Sequence, residues 1–328
     1  MEENNLDFIT LIMAAGKGTR MKSNKSKLVQ KIYDKELVKR VVTLAEKIES
    51  KEIITVVGFL KEQIEEVLGD RVKYAYQNEL LGTGHAVMQA EEYLKGKKGK
   101  VLVLNGDVPI LRPATLKNLV EKSITRKEYA TVLTAIYDNP TGYGRIIRDE
   151  GGNIKEIVEE KDTTSSQKEI KEINSGMYCF DIKELLLALK KVKPNNAQEE
   201  YYLTDVIKIM NEKGLKTGAV IVEDNTEILG VNDRVQLELL TKVLRRRIND
   251  IHMKNGVTIE DAETAYIYDD VVIGMDTVIC PNVTIKDNVV IGSNCKIDSN
   301  VYIEENCRIS DNVIIENGTI VKKGSILK

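Results

Sequence analysis

No apolar run in the sequence approaches the ~18 residues of a membrane span; the longest candidates, such as Val101–Leu104 and Leu185–Leu189, are short core segments. The N-terminus, Met-Glu-Glu-Asn-Asn-Leu-Asp, lacks the basic region and apolar stretch of a signal peptide, so the expected location is the cytoplasm. An excess of one charge is also missing: 48 Lys and Arg face 51 Asp and Glu, a formal net charge of −3. That balance excludes the net basic field of a dedicated nucleic-acid binder. Cysteine is scarce, and Cys179, Cys280, Cys295 and Cys307 form no CxxC pair and have no histidine nearby. Without an export signal they are expected to be reduced, buried small residues and not metal ligands or disulfides. The two histidines, His85 and His252, leave no Ser/His/Asp constellation for nucleophilic catalysis.

What is present falls into two regions of different period, as a length of 328 residues suggests. Up to about residue 230, strand-like apolar runs alternate with helical patterns. Phe8-Ile-Thr-Leu-Ile-Met-Ala-Ala runs into a glycine, as a buried parallel strand would. A helical stripe follows at Leu37, Val41, Leu44, Ala45 and Ile48. Further runs begin at Ile53 and at Lys100, the latter ending in Asn105-Gly-Asp107. This alternation predicts an α/β, doubly wound sheet over 1–234, with ligands bound beyond the carboxyl ends of its strands. A connecting helix is expected over 235–255, with Leu239, Val243, Leu244, Ile248 and Ile251 inward and Arg245-Arg-Arg on a solvated face.

After Asp270 the period becomes six. Ile273, Ile279, Ile285, Ile291, Ile297, Ile303, Ile309, Ile315, Val321 and Leu327 recur at that spacing. Two positions before each stands a small or β-branched residue, from Val271 and Thr277 through Cys295 and Cys307 to Ser325. Neither a helix nor a hairpin array repeats at six. The pattern is that of a hexapeptide parallel β-helix, each hexad supplying one side of a triangular coil, and it predicts about three coils over 256–328.

The first strand leads into Ala14-Ala-Gly-Lys-Gly-Thr-Arg-Met21. This is not a Walker A loop, and Met21 stands where a dinucleotide fingerprint needs its third glycine. It offers approachable backbone N–H groups with Arg20 and, slightly later, Lys27, the ingredients for holding a polyphosphate. Next come Gln77, Leu81-Gly-Thr-Gly-His-Ala86, Asn105-Gly-Asp-Val-Pro109 and Pro140-Thr-Gly-Tyr-Gly-Arg-Ile146. Ile157-Val-Glu-Glu-Lys-Asp162, Glu172-Ile-Asn-Ser-Gly176, Asn196 to Asp205 and Gly230-Val-Asn232 complete the order.

That ordered set resembles the nucleotidyltransferases that make sugar nucleotides, and in particular the bifunctional N-acetylglucosamine-1-phosphate uridylyltransferase family, in a short form. The resemblance covers essentially the whole chain. It implies a Rossmann-like nucleotidyltransferase domain followed by a short left-handed β-helix, homotrimer formation, and a part in cell-envelope precursor synthesis. It implies that Met13, Ala14, Ala15 and Gly16 form the loop over nucleoside and phosphates, and that Arg20 and Lys27 neutralise phosphate charge. Gln77, Gly82 and Thr83 would read the uracil edge. Asn105 and Gly106 would line the substrate site, Gly144, Glu159 and Asn174 would hold N-acetylglucosamine, and Asp107 and Asn232 would bind Mg²⁺. An Mg²⁺ site that takes one or two oxygens from the protein and the rest from phosphate and water is physically reasonable.

Three positions depart from the family pattern. Ser26 stands where proline is usual before the lysine, Asp34-Lys-Glu-Leu37 replaces a Gly-Lys-Pro-Met turn, and Asn105 replaces an aromatic residue or cysteine. Thr83 reads as an N-cap, placing His85 in the first turn of a helix Ala86–Leu94 with a structural role. His252 is expected to be structural or exposed.

The implied reaction is in-line attack of the phosphate of N-acetylglucosamine 1-phosphate on the α-phosphorus of UTP, with pyrophosphate leaving. The nucleophile is already an anion, so positioning and charge neutralisation suffice. Two alternatives stand: another sugar-1-phosphate nucleotidyltransferase (adenylyl-, thymidylyl- or guanylyl-), or a non-catalytic subunit that binds sugar nucleotides. Acetyl transfer, the family's second reaction, needs a base to take the amine proton. No histidine lies in the hexads, so that activity is expected to be absent.

Overall fold

The computed structural model describes residues 7–328, which divide into two compact units, one up to residue 236 and one over 237–328. In the first unit the strands are β1 (Phe8–Ala14), β2 (Ile53–Val57), β3 (Lys73–Tyr76), β4 (Lys100–Asn105), β5 (Ala130–Ile136), β6 (Arg145–Arg148), β7 (Ile154–Val158), β8 (Glu172–Asp181) and β9 (Thr217–Ile221). Between them run α1 (Leu37–Lys47), α2 (Lys61–Leu68), α3 (Thr83–Met88), α4 (Glu91–Leu94), α5 (Pro113–Thr125), α6 (Ile182–Leu189) and α7 (Asp205–Glu212). The main sheet has the order β9-β5-β8-β4-β1-β2-β3, and β6 and β7 form a hairpin attached through β8.

The sheet is covered on both faces, which is why its central strands are apolar at successive positions. Along β1, Phe8 and Ile12 join a cluster with α1, α2 and α5, while Ile9 and Leu11 join one with α3, α4, α6 and α7. Along the main sheet pairing is parallel except at β8, which runs antiparallel to both β4 and β5; the β6–β7 hairpin is antiparallel too. The sequence reading made no provision for that reversal; the register of β8 shifts between Asn174 and Met177, at Gly176 with φ +76°.

The chain builds β1, β2 and β3 outward in one direction and then places β4 on the other side of β1, pairing Asn105 with Met13. This reversal opens a crevice beyond the carboxyl ends of β1 and β4, the place where open α/β sheets take ligands.

In the second unit, twelve two-residue strands from Thr258–Ile259 to Ile326–Leu327 form three parallel sheets of four strands each. There are therefore four coils, not about three. The first rung falls out of the six-residue count because Thr258 pairs with Val278, a step two residues longer than the later 18 from Val278 to Lys296, whereas Ile267 stands six before Ile273 and extends the period. Ile279, Ile285, Ile297 and Ile303 have no exposed surface, as the inward positions should. The corners carry a second signal: Asn282, Asn288, Asn294, Asn300, Asn306 and Asn312 all have φ near +60°. Asparagine tolerates this left-handed backbone better than other non-glycine residues, so the hexad repeats its corner chemistry as well as its packing.

α8 (Arg234–Lys254) crosses the boundary between the units. Its buried stripe is Leu240, Leu244, Arg245, Ile248, Asn249 and His252, whereas Leu239 and Ile251 are about half exposed. The expected stripe is thus turned by about one residue, because two polar side chains are buried with partners. Arg245 pairs with Glu263 at 2.8 Å and lies over the Tyr266 ring, and the Asn249 amide donates to the carbonyls of Ala262 and Ala265. Arg245 is therefore not on a solvated face, while Arg246 is exposed and pairs with Asp250. All four cysteines are free and buried. No helix among the described residues is long and apolar enough to cross a membrane.

Candidate active site

The crevice beyond β1 and β4 holds two adjoining pockets. The first, of about 310 Å³, is lined by Met13, Ala14, Ala15, Gly16, Lys27, Gln77, Gly82, Thr83, Asn105 and Asp107, together with Leu28, Leu80, Ala86 and Glu200. The second, of about 190 Å³, is lined by Gly144, Glu159 and Asn174 with Gly142, Tyr143, Ser175, Gly176, Tyr178, Leu203 and Thr204. Met13, Thr83 and Asn105 belong to both, so the two pockets form one two-lobed cleft.

Lys27 and Asp107, both in the lining of the first lobe, converge with Asn232 from far apart in sequence. Lys27 Nζ lies 2.5 Å from Asp107 Oδ2 and 3.1 Å from Asn232 Oδ1. Backbone bonds fix the acidic side: Gly106 N–H donates to the Met13 carbonyl at 3.0 Å, and Val231 N–H donates to the Asp107 carbonyl at 2.9 Å. The second bond draws Asn232 beside Asp107. Lys27 begins a short 3₁₀ turn, and its side chain lies against Gly18 of the glycine loop. Its predecessor Ser26 is buried, with φ −52° and ψ 141°, a backbone that proline also adopts. The Ser26 hydroxyl accepts from Leu28 N–H and its own N–H donates to Gln63 Oε1, so serine holds this corner by hydrogen bonds. The Asp34–Leu37 departure forms the end of a small hairpin, Lys31–Ile32 against Lys35–Glu36.

Gln77 is buried, and its amide nitrogen donates to the Gly82 carbonyl at 3.1 Å and lies 3.1 Å from His85 Nδ1. His85 thus braces Gln77, a structural role. The helix around it differs from the sequence reading: α3 begins at Thr83 itself, Gly82 is the cap residue, and α3 ends before α4. The Thr83 hydroxyl serves elsewhere, accepting from Leu203 N–H at 3.1 Å. Gly82 has φ +107°, and a Cβ there would meet the Tyr201 carbonyl at 2.7 Å, so glycine is required for this close approach.

In the second lobe, the Asn174 amide donates to Tyr178 Oη at 2.8 Å, and Asn174 Oδ1 accepts from Gly176 N–H. Glu159 Oε1 accepts from the Thr204 hydroxyl at 3.2 Å. Burial pushes the Glu159 carboxyl above the usual range; the Thr204 bond opposes this, while nearby Asp162, Asp205 and Glu200 add to it. A Cβ on Gly144 would come 3.3 Å from Glu159 Oε2, so the glycine keeps that carboxylate approachable. Asn105 donates to the Ser175 carbonyl at 3.2 Å and forms part of the wall common to both lobes.

Of the residues singled out in the sequence, Arg20, Gly106 and Asn232 line neither lobe; Gly106 and Asn232 are tied to the cleft wall through Met13, Asp107 and Lys27, whereas Arg20 is exposed and stands apart. Tyr143, Tyr178, Thr204 and Glu200 also line the cleft, and none of them was assigned a role from sequence. Three of them fall inside motifs already quoted, so their position was available but not their direction.

Two oxygens, one from a carboxylate and one from an amide, converge on a single cationic nitrogen at Lys27. Such a donor pair fits a hard divalent cation completed by phosphate and water. Among the described residues no group of three or more His, Cys, Asp or Glu could hold a metal.

Comparison with known proteins bears on the family. The nucleotidyl transferase family model matches residues 9–245, and the bacterial transferase hexapeptide model, of six repeats, matches residues 288–323. The chain is 52% identical over 273 residues to the bifunctional protein GlmU of Caldanaerobacter subterraneus subsp. tengcongensis, covering 83% of this chain and 59% of that protein. It is 47% identical over 272 residues to the GlmU protein of Acetivibrio thermocellus, again covering 83% and 59%. The match to the Clostridioides difficile protein of that name is 47% over 274 residues, 84% of this chain and 60% of that one. The chain thus spans about three-fifths of the length of these curated relatives. A crystal structure of a candidate glucose-1-phosphate thymidylyltransferase from Bacillus anthracis superposes with a TM-score of 0.59 at 19% identity, over 72% of this chain and 94% of that one, a likeness of fold. The hexapeptide match accords with a left-handed course for the β-helix. With a family model matched over most of its length and a cleft at the expected strand ends, the chain belongs to the nucleotidyl transferase family.

Proposed function

We propose that this chain transfers a uridylyl group from UTP to N-acetylglucosamine 1-phosphate, giving UDP-N-acetylglucosamine and pyrophosphate. The observation that carries this reading is the convergence of Lys27, Asp107 and Asn232 beside a cleft whose lobes suit a nucleotide and a sugar phosphate. Gln77 supports a uracil base. Its amide nitrogen is committed to Gly82, which leaves its carbonyl oxygen to accept from a ligand N–H, and uracil N3 carries one where cytosine does not. In the second lobe the Glu159 carboxylate can accept from sugar hydroxyls, and Asn174 and Gly144 shape the wall beside it.

Asp107 and Asn232 would hold Mg²⁺, which when bound neutralises phosphate charge and fixes phosphate geometry. Lys27 adds a positive charge beside the triphosphate, and the loop from Met13 to Gly16 lies against it. Arg20, exposed in the free protein, would act on the phosphates only if its turn moves inward. The chain's part in the reaction is thus to align two anions and spread charge, with no proton to remove from the attacking oxygen.

We further propose that the β-helix assembles three chains. Support comes from its outward apolar side chains: Val272, Ile314, Ile320 and Ile326 are each more than half exposed. Light scattering should give three times the 36.9 kDa chain mass. Residues 256–328 contain no histidine, so this stretch supplies no histidine base for acetyl transfer.

The test of the main reading is a substrate panel followed by pyrophosphate release. UTP with N-acetylglucosamine 1-phosphate should exceed every pairing with ATP, dTTP or GTP, and every pairing with glucose 1-phosphate. Faster turnover of another pair would move the chain to a different sugar nucleotide.

A further inference from the structure

We propose that in the nucleotide-free protein Lys27 occupies the position of the divalent cation, so that metal enters the site only with the nucleotide. This rests on the metal site proposed above and adds an order of binding to it. The ammonium of Lys27 lies 2.5 Å from Asp107 Oδ2 and 3.1 Å from Asn232 Oδ1, oxygens of the two side chains proposed to hold the metal. Mg²⁺ would need to sit about 2.0–2.1 Å from the same oxygens. Two cations cannot share Asp107 Oδ2 at such distances without strong repulsion, so one must leave.

Charge sets which one leaves. Lys27 and Asp107 are largely buried and cancel each other, with side chains 12% and 23% exposed. A divalent ion entering alone would leave three positive charges facing the single carboxylate in contact with Lys27. A triphosphate changes the balance, because it brings several negative charges and new acceptors for the ammonium. Lys27 is suited to such a move, being a compact charge on a flexible stem. That stem runs along the glycine loop: a Cβ on Gly18 would lie 2.7 Å from its Cβ and 3.6 Å from its Cγ and Cδ. A short swing of the ammonium from Asp107 would carry it toward phosphates held by that loop.

The test titrates Mn²⁺ into the full chain and follows free Mn²⁺ by electron paramagnetic resonance, without nucleotide and then with UTP. Without nucleotide, Lys27→Gln should bind Mn²⁺ at least about tenfold more tightly than wild type. Lys27→Arg, which keeps the charge, should bind no more tightly than wild type. Lys27→Met provides a second neutral side chain, with circular dichroism checking the fold of each variant. With UTP, wild type should hold Mn²⁺ more tightly than UTP alone does, and Asp107→Asn should lose that gain. If both neutral variants bind no more tightly than wild type while Asp107→Asn still loses the UTP-dependent gain, the metal site stands and the role given to Lys27 is wrong. A gain in Lys27→Arg equal to that in Lys27→Gln would also overturn it, since charge would not be the cause. If no Mn²⁺ binding depends on Asp107 in any state, the metal reading fails and this inference fails with it.

Discussion

Gly18 and Lys27 are packed so closely that a Cβ on the glycine would fall 2.7 Å from the lysine Cβ, and Gly18 has φ +58°. The second glycine of the loop therefore sets where Lys27 stands, beyond any contact it makes with a ligand. Gly18→Ala should cost about 1–2 kcal/mol for the left-handed backbone. Displacement of Lys27 by the order of 1 Å should lower kcat/KM about 100-fold. A urea midpoint and steady-state kinetics measure both; activity within a few-fold of wild type would separate the two residues functionally.

Asp107→Ala should abolish metal-supported turnover and leave the fold intact, because Asp107 follows a strand end and is not part of either apolar cluster. Lys27→Ala should lose about 2–4 kcal/mol of transition-state stabilisation, as the removal of one preorganised charge-stabilising donor does. Thermal melts and kcat determine the outcome. An unchanged rate in either variant would remove that residue from the site.

Glu159 should reveal itself through pH. Burial raises its folded-state pKa above the ordinary 4.5, so between these two values the folded protein holds more proton than the unfolded chain. Stability therefore falls as pH rises through that window, and the penalty is complete above the folded pKa. Glu159→Gln should melt higher than wild type at pH 7, with the difference vanishing below pH 4.5. The same variant should raise KM for the sugar phosphate by roughly tenfold while changing kcat little, as loss of a ground-state contact does.

Asn300 has φ +60° at an exposed corner of the β-helix. Asn300→Gly should leave the melting temperature nearly unchanged, whereas Asn300→Val should cost more than 1 kcal/mol, on the order of the left-handed penalty for a β-branched residue. Equal stability of the two variants would show that the corner relaxes to another backbone.

The sequence was most legible where one residue type does one job. The inward isoleucines of the β-helix and the apolar run of β1 each satisfy a single packing rule, and each stands where that rule puts it. The corner asparagines were equally periodic but carried a backbone signal that a search for apolar spacing does not detect. α8 misled because Arg245 and Asn249 are polar yet buried, paid for by partners in the segment 262–265 that no helical period reveals. In the cleft, the motifs located Lys27, Asp107 and Asn232 one by one, but not their contact, which depends on chain folded back across 205 positions. Nor did they foretell that Arg20 would be exposed, since a loop residue's direction is set by backbone angles such as those of Gly18 and Lys22.

The central claim is tested most directly by phosphorus NMR of the full chain with Mg²⁺, UTP and N-acetylglucosamine 1-phosphate. Uridylyl transfer predicts that the diphosphate diester and pyrophosphate resonances grow in equal amounts as both substrates fall, and that Asp107→Ala stops all four changes. Persistence of UTP and sugar phosphate with the wild-type chain, while UDP-N-acetylglucosamine added in a parallel sample still binds, would contradict it and leave a protein that binds the product without making it.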